Sequence, residues 1–252
     1  MEIEIFTQPG EIYDLIYQKK EYSSEIDFLA RNILTGQFDN SWVLDVGCGT
    51  GLHAKGLREK GILTVGLDLN LEFIQTALNR SPSLNDSFFL VGDMRSIPFK
   101  RNKFGAIVMM FHVINFLDGE KELYLFLRNV HNLLQDGGKL IFDSWDAESM
   151  SNSDYQPKLN IYDNNDFKVI RKSEISLTHP DRVNVQHIFE VFNKITLGSE
   201  EFIENHIIFP LTRQRVRDCA STIFSKIEFK DLLNIELSEK NGLKSFYCVL
   251  HK

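Results

Sequence analysis

Asp45-Val46-Gly47-Cys48-Gly49-Thr50-Gly51 decides the fold of this 252-residue chain. Before it, the short apolar run Trp42 to Val46 reads as a strand. After it, His53 to Lys60 reads as a helix stopped by Gly61. Glycines at 47, 49 and 51 let the backbone turn sharply between the two and let a ligand approach closely. An ordinary tight turn calls for one glycine, not three at alternate positions. The dinucleotide fingerprint G-x-G-x-x-G puts its third glycine five residues after the first, where this chain has Leu52. The spacing here is G-x-G-x-G. A P-loop also fails, because no Gly-Lys-Ser/Thr follows.

Outward from the loop, strands and helices alternate. Ile62 to Leu67 reads as a second strand, and Asn70 caps a helix running to about Arg80. Ser87 to Val91 and Phe104 to Phe111 read as further strands. Glu120 to Leu134 carries a helical stripe of Leu123, Phe126, Leu127, Val130 and Leu134, expected to stop at Gly137-Gly138, and Lys139 to Phe142 is the next strand. Upstream, residues 11 to 34 read as one helical stretch, with Ser24 and Asp27 resembling a capping box. Such alternation implies right-handed crossovers and a mainly parallel, Rossmann-like α/β sheet with helices on both faces. The continuous apolar run Ala106 to Phe111 suits a strand buried on both sides.

The pattern changes after Trp145. Residues 147 to 166 are polar and read as a loop. From Phe167 to Phe209 the period becomes two, as in Val183-x-Val185 and Phe189-x-Val191, so three or four antiparallel strands are expected there. Thr212 to Thr222 reads as a helix. Ile227 to Leu233 and Ser245 to His251 are expected to close the sheet as an antiparallel pair. Three regions follow: an N-terminal helical cap over 1–39, a ligand-binding domain over 40–146 and 210–252, and a β-rich insertion over 147–209.

Hydrophobic residues make up 43% of the chain, enough for a buried core, and the net charge is −7. An acidic chain is a poor nucleic-acid binder, because phosphate contacts need a basic face. No apolar run reaches the ~18 residues of a membrane span. Met1 to Gly10 lacks the basic start and apolar core of a signal peptide. Cys48, Cys219 and Cys248 give neither a disulfide framework nor a zinc spacing, so no metal is expected and the reducing cytoplasm is the simplest location.

Two more acidic residues fall at strand ends. Asp68, in Gly66-Leu67-Asp68, is placed to accept hydrogen bonds from both hydroxyls of a ribose. Asp93, in Gly92-Asp93-Met94, is placed to accept from an adenine amino group, with the Met94 N–H reading a ring nitrogen. Any one such residue is readily a helix cap or turn residue. Asp45, Asp68 and Asp93 at three successive strand ends lie on the edge where open α/β sheets bind ligands.

On these residues the segment 40–146 resembles the class I S-adenosylmethionine-dependent methyltransferases. The resemblance is carried by Val43 to Gly51, Gly66-Leu67-Asp68, Gly92-Asp93-Met94-Arg95 and Phe142-Asp143. It implies a seven-stranded methyltransferase sheet and S-adenosylmethionine as cofactor. The implied cofactor contacts are Tyr22, Asp45, Gly47, Cys48, Gly49, Gly51, His53, Asp68, Leu69, Gly92, Asp93, Met94 and Phe111.

A narrower resemblance adds to this. Tyr13-Asp14-Leu15-Ile16-Tyr17 and Lys20-Glu21-Tyr22 resemble the start of methyltransferases that dimethylate the amine of nucleotide-linked aminodeoxysugars. Met110 to Asn115 and Phe142-Asp143-Ser144-Trp145 resemble related enzymes of surface-polysaccharide pathways. In these families the β-rich insertion helps to form the acceptor site. The aminosugar enzymes also place a histidine near the acceptor in the loop after strand four. Here Phe116 aligns with it, and His112 lies four residues earlier. Either the side chain has moved or the acceptor differs.

The candidate catalytic residues are then Tyr17 and His112, with Asn115, Asp143 and Trp145 on the acceptor. Each has a plainer reading. His112 is equally a general base or a backbone-bonded histidine lining the pocket. Tyr17 faces the methyl group or the acceptor amine and Tyr22 the cofactor's carboxylate, or both are amphipathic core tyrosines. Asp143 and Trp145 form an ammonium partner and an acceptor wall, or simply cap and pack. Phe73 covers an adenine or belongs to its helix stripe. His179, His187 and His206 share no metal-ligand spacing and read as surface or strand residues. Arg213, Arg215 and Arg217 meet a nucleotide-sugar diphosphate or form a solvated helix face.

The expected activity is methyl transfer to a small molecule, nitrogen favoured over oxygen, on a sugar or nucleotide-linked sugar. Neither nucleic acid nor membrane is an expected partner, and the chain is expected to be a monomer or homodimer. Methylation of a hydroxyl or of another metabolite stays open, as does a cofactor-binding protein without turnover. A DNA amino-methyltransferase is disfavoured. Such enzymes carry an Asn/Asp-Pro-Pro-aromatic run after strand four, where this chain has Phe111-His112-Val113-Ile114.

Overall fold

The computed structural model describes residues 9–34, 41–80, 88–150, 156–179, 181–230 and 244–252. The motif strand β1 (Trp42–Val46) leads through the glycine turn into α3 (Leu52–Glu59). Two helices precede it, α1 (Gly10–Tyr17) and α2 (Tyr22–Ile33). Then follow β2 (Thr64–Asp68), α4 (Leu71–Arg80), β3 (Phe88–Val91), β4 (Phe104–Met109), α5 (Glu120–Leu133) and β5 (Leu134–Trp145). After a short helix α6 (Ala147–Met150) come β6 (Lys158–Asp163), β7 (Phe167–His179), β8 (Arg182–Asn193) and β9 (Ser199–Ile208). The helix α7 (Arg213–Ala220) and the strands β10 (Lys226–Lys230) and β11 (Ser245–His251) complete the order.

The main sheet has seven strands in the order β10-β11-β5-β4-β1-β2-β3. The five strands β1 to β5 pair in parallel, while β11 runs antiparallel to both β5 and β10. The order turns back between β1 and β4, so the carboxyl ends of these two strands flank the crevice where such sheets take ligands. β4 is buried along its whole length, as a strand covered by helices on both faces must be. The expected Rossmann-like sheet of seven strands is borne out, as are the strand pair that closes it and the antiparallel insertion after the fifth strand.

Several expectations need correction. Residues 11 to 34 are two helices, separated at Gln18–Glu21. Ser24 therefore lies inside α2 and caps nothing. The N-cap residue is Glu21, with no side-chain bond to the helix. α5 ends at Leu133, where Leu134 turns extended, so Gly137-Gly138 lies within β5 and does not stop the helix. There Gly138 passes so close to the main chain that a Cβ would meet the Gly105 carbonyl at 3.0 Å. The stretch 147 to 166 is not all loop, since it holds α6 and the edge strand β6. The outer ends of the expected strands at Ser87 and at 231–233 lie outside the described residues. Asn70 caps α4 as expected, its Oδ1 accepting from the N–H groups of Glu72 (2.8 Å) and Phe73 (3.1 Å).

The insertion forms a separate four-stranded antiparallel sheet, β6-β7-β8-β9. Its inner face packs on α1 through Val169, Phe189 and Val191 against Ile12, Leu15 and Ile16. Farther along the same face, Val183, Val185 and Ile208 pack with Phe116 and Trp145 from the main domain. The insertion therefore stands over the carboxyl edge of the parallel strands. Among the described residues, no helix is long and apolar enough to cross a membrane.

Candidate active site

The loop Gly47–Gly51 opens on a small recess lined among others by Tyr13, Tyr22, Gly49, His53 and Phe111. Gly47, Gly49 and Gly51 all take positive φ. Gly49, at φ +54, has open space where a Cβ would stand, so the backbone there is bare toward a ligand. At Gly47 a Cβ would collide with Val113 at 2.5 Å, because the loop after β4 closes against it. Cys48 is buried in the loop, and burial, followed by the nearby Asp45 and Asp68, pushes its thiol pKa up. It is a packing residue that stays protonated, not a nucleophile.

Asp68 ties the loop to β2. Its Oδ2 accepts from the Gly49 N–H and its Oδ1 from the Asn70 N–H, both at 2.8 Å. Burial raises its pKa, and the N–H groups of Asn70, Gly49 and Leu69 oppose that rise. Each carboxylate oxygen keeps capacity for a second donor. Asp45, at the end of β1, is fully buried, and its Oδ2 has no hydrogen-bond partner among the described residues. Burial pushes its pKa up to about 6. An orphaned carboxylate oxygen beside a bare glycine turn fits a ligand that brings an ammonium group, and S-adenosylmethionine has one.

Gly92 donates its N–H to the Asp68 carbonyl at 2.8 Å. Asp93 caps the 3-10 turn Met94–Ser96 by accepting from the Arg95 N–H, and it also meets the Arg95 guanidinium. Met94 packs against the edge of the main core. Phe73 lies 4.8 Å from the Tyr13 ring, whose hydroxyl is held protonated by burial.

The loop after β4 is strained. Phe111 and His112 are consecutive non-glycine residues at φ +72 and +62, a conformation that costs of order 1–3 kcal/mol each. Asp143 holds the turn: its Oδ1 accepts from the His112 N–H at 2.9 Å, and its Oδ2 lies 3.3 Å from His112 Nε2. Ser245 Oγ stands 2.9 Å from the same nitrogen. Burial lowers the His112 pKa, and Asp143 works against that shift. Trp145 stands 5.5 Å from the imidazole, ring to ring. Tyr17 from α1 meets Phe111 edge-on at 4.8 Å, and its hydroxyl accepts from Arg171 of β7 at 3.2 Å. Tyr17 and His112 thus meet Phe111 beside the glycine recess, and Asp143 and Trp145 in turn meet His112. Asn115 is nearby but fully buried. Its amide nitrogen donates to Ser144 Oγ and the Phe209 carbonyl, and its oxygen accepts from the Trp145 N–H.

Beneath the recess lies a cluster that sequence reasoning missed. Glu25 of α2 bonds His53 Nε2 at 2.7 Å and pairs with Lys20. Burial alone would raise its pKa, but His53 and Lys20 outweigh that and bring it down to about 2. Lys20 Nζ lies 4.6 Å from the Tyr22 ring and 5.1 Å from the Phe111 ring, so a cation faces the mouth of the recess. Glu25 sits among the polar residues of an amphipathic helix, and nothing in its spacing marks it. The three arginines of α7 are explained by packing. Arg213 lies over Phe246 and pairs with Asp146, Arg215 lies over Phe209 and pairs with Glu120, and Arg217 lies over Phe229.

Residues 44–142 match the family model described as a methyltransferase domain. The chain is 31% identical, over 138 residues, to a dTDP-3-amino-3,4,6-trideoxy-alpha-D-glucopyranose N,N-dimethyltransferase of Streptomyces venezuelae, which covers 54% of this chain and 56% of the relative. It is 33% identical, over 145 residues, to a dTDP-3-amino-3,6-dideoxy-alpha-D-glucopyranose N,N-dimethyltransferase of Streptomyces fradiae, covering 56% and 55%. The chain therefore spans about half the length of the curated relatives it matches. The solved structure of SAM-bound CalS10, an amino pentose methyltransferase from Micromonospora echinaspora, superposes with a TM-score of 0.75 at 20% identity over 100% of both chains. The resemblance to class I methyltransferases, and within them to aminosugar enzymes, is borne out.

Proposed function

We propose that this chain, in which residues 44–142 carry a methyltransferase domain, is an S-adenosylmethionine-dependent enzyme that methylates the amine of a sugar in nucleotide-linked form. The observation that carries the reading is that Tyr17 and His112 meet at Phe111, on the wall of the glycine recess, with Trp145 against the far side of His112. When bound, S-adenosylmethionine supplies an electrophilic methyl group on a sulfonium. Gly49, Asp68 and Asp45 hold it through the bare loop, the ribose hydroxyls and the ammonium group respectively. Tyr17, Phe111 and Trp145 shield the acceptor from water. His112, neutral through burial, accepts a proton from the acceptor's ammonium group, and Asp143 stabilises the imidazolium that results. Orienting the acceptor amine in line with the methyl group contributes ~7–11 kcal/mol of barrier reduction.

The division of labour follows the three regions. Residues 1–39 cap the site, 40–146 and 210–252 bind the cofactor, and 147–209 complete the acceptor pocket. Relatives named for dTDP-linked aminosugars support nitrogen over oxygen. A sugar hydroxyl is the second reading, favoured by the His112–Asp143 pair, since a hydroxyl acceptor needs a base. The reaction belongs in the cytoplasm, where nucleotide-linked sugars are made. The test is methyl transfer from labelled S-adenosylmethionine to dTDP-linked aminosugars and to their hydroxyl counterparts. Binding of S-adenosylhomocysteine without turnover on either panel would leave a cofactor-binding protein, and no binding at millimolar cofactor would overturn the reading.

A further inference from the structure

One nitrogen of the His112 ring is held from two sides and the other is not. Asp143 Oδ2 lies 3.3 Å from Nε2 and Ser245 Oγ 2.9 Å from it. Strand register delivers both partners. β11 pairs antiparallel with β5, and Ser245 stands opposite Trp145, two residues beyond Asp143 and on the same face of β5. The ring is flanked by Phe111, stacked at 27° with centroids 6.1 Å apart, and by Trp145. Its Nδ1 makes no hydrogen bond among the described residues, and 25% of the side chain stays exposed.

This arrangement decides where the ring carries its proton. A carboxylate oxygen can only accept. Asp143 Oδ1 already accepts the His112 backbone N–H, so the carboxylate is fixed in place by the turn it supports. A bare Nε2 would set its lone pair against that of Oδ2, whereas an Nε2–H meets an acceptor. The Ser245 hydroxyl both donates and accepts, so it fits either case and fixes the ring's angle, while Asp143 selects the tautomer. A neutral imidazole has a single N–H. With that proton on Nε2, the free lone pair is on Nδ1.

We propose that His112 takes the acceptor's proton on Nδ1, with its Nε2–H held between Asp143 and Ser245, and that Ser245 is a positioning residue for the reaction. The assignment rests on the amine reading above and names the atom that receives the proton. An N–H bond of the acceptor's ammonium group breaks, the electron pair stays on the amine nitrogen, and the proton goes to Nδ1. The amine nitrogen then bonds the methyl carbon as the carbon–sulfur pair leaves with sulfur. The imidazolium keeps its Nε2–H on Asp143, whose charge offsets it, and Nδ1 later returns its proton to water at the exposed side of the ring.

The experiment is NMR on the full chain with 15N-labelled histidine, saturated with S-adenosylhomocysteine, beside turnover of a dTDP-linked 3-amino-6-deoxysugar. His112→Asn identifies the His112 signals by their loss. The neutral wild-type ring is expected to carry its proton on Nε2. Asp143→Asn should reverse this. Its amide oxygen still has to accept the His112 N–H, so its amide nitrogen faces Nε2 and donates to it, and the ring proton moves to Nδ1. There kcat should fall about 10²-fold or more, with the Kd for S-adenosylhomocysteine within about threefold of wild type. Ser245→Ala should keep the tautomer and lower kcat about tenfold with acceptor KM little changed, and Ser245→Thr, which keeps the hydroxyl, should restore it. A wild-type proton on Nδ1 would overturn the assignment, whether or not Asp143→Asn folds. Full kcat in Ser245→Ala would overturn the role of Ser245. A wild-type protein that shows the Nε2 proton and binds S-adenosylhomocysteine but leaves the probe unmethylated would overturn the sugar reading and support the tautomer.

Discussion

The two oxygens of Asp143 grip His112 at once, one accepting its backbone N–H at 2.9 Å and the other 3.3 Å from its ring Nε2. The same carboxylate therefore fixes a left-handed backbone and orients an imidazole that burial keeps neutral. His112→Asn is the informative variant, because asparagine tolerates positive φ and leaves the turn intact. It is expected to lower kcat/KM by roughly 10²-fold or more with cofactor affinity unchanged. For an amine acceptor the loss should shrink as pH rises, since the amine then gives its proton to water. For a hydroxyl acceptor the loss should persist to pH 9. Full activity of His112→Asn at neutral pH would make this histidine a lining residue.

Asp68 fixes the glycine loop to β2 through the Gly49 N–H, and the proposed function gives it the ribose hydroxyls of the cofactor. Asp68→Ala removes charge-assisted hydrogen bonds worth about 1.5–3 kcal/mol. Calorimetry with S-adenosylhomocysteine should therefore show a roughly 10- to 100-fold weaker Kd in a folded variant. An unchanged Kd would make Asp68 a structural strand-end residue alone.

The local chemistry was legible and the distant chemistry was not. The turn Gly47–Gly51 and the Asn70 cap are written in consecutive residues, and both formed as read. The break at Gln18–Glu21 was hidden because apolar spacing resumes in α2 and masks the change of axis. β6 was hidden because an edge strand with one open face needs few apolar residues, and Leu159 and Ile161 stay exposed. His187, Glu204 and His206 alternate correctly for a strand. Period two names a face but not its depth, and only the pairing across β7, β8 and β9 brings them together. Glu25 and Lys20 are close in sequence, but the partner His53 that completes their cluster is 28 residues from Glu25.

Asn115 links three segments, since its side chain bonds Ser144 and the main chain of Trp145 and Phe209. It anchors the loop after β4 to the end of β5 and to the end of the insertion. Asn115→Ala leaves buried groups unsatisfied, each costing about 1–3 kcal/mol. Urea unfolding should show that loss of stability, with acceptor KM and kcat following the population of folded protein. A stable variant with a selectively raised acceptor KM would instead make Asn115 a substrate contact.

Asp45 links the cofactor to pH. Burial raises its folded pKa to about 6, above the ordinary value of 3.8. Without ligand the folded chain therefore favours the protonated acid. That contribution to stability is complete below about pH 3.8 and is lost as pH rises through about 6. A ligand ammonium group reverses the preference, because it pairs with the ionised carboxylate. Cofactor binding should then release a proton below pH 6 and strengthen up to tenfold per pH unit as pH rises toward 6. Above pH 6 this dependence should level off. Calorimetry of S-adenosylhomocysteine in buffers of different ionisation enthalpy reads the proton directly. Asp45→Asn should weaken binding at pH 7.5 and abolish both the proton release and the slope. Wild-type affinity that stays flat from pH 5 to pH 7 would show that Asp45 stays protonated in the complex and does not pair with the ligand's amine.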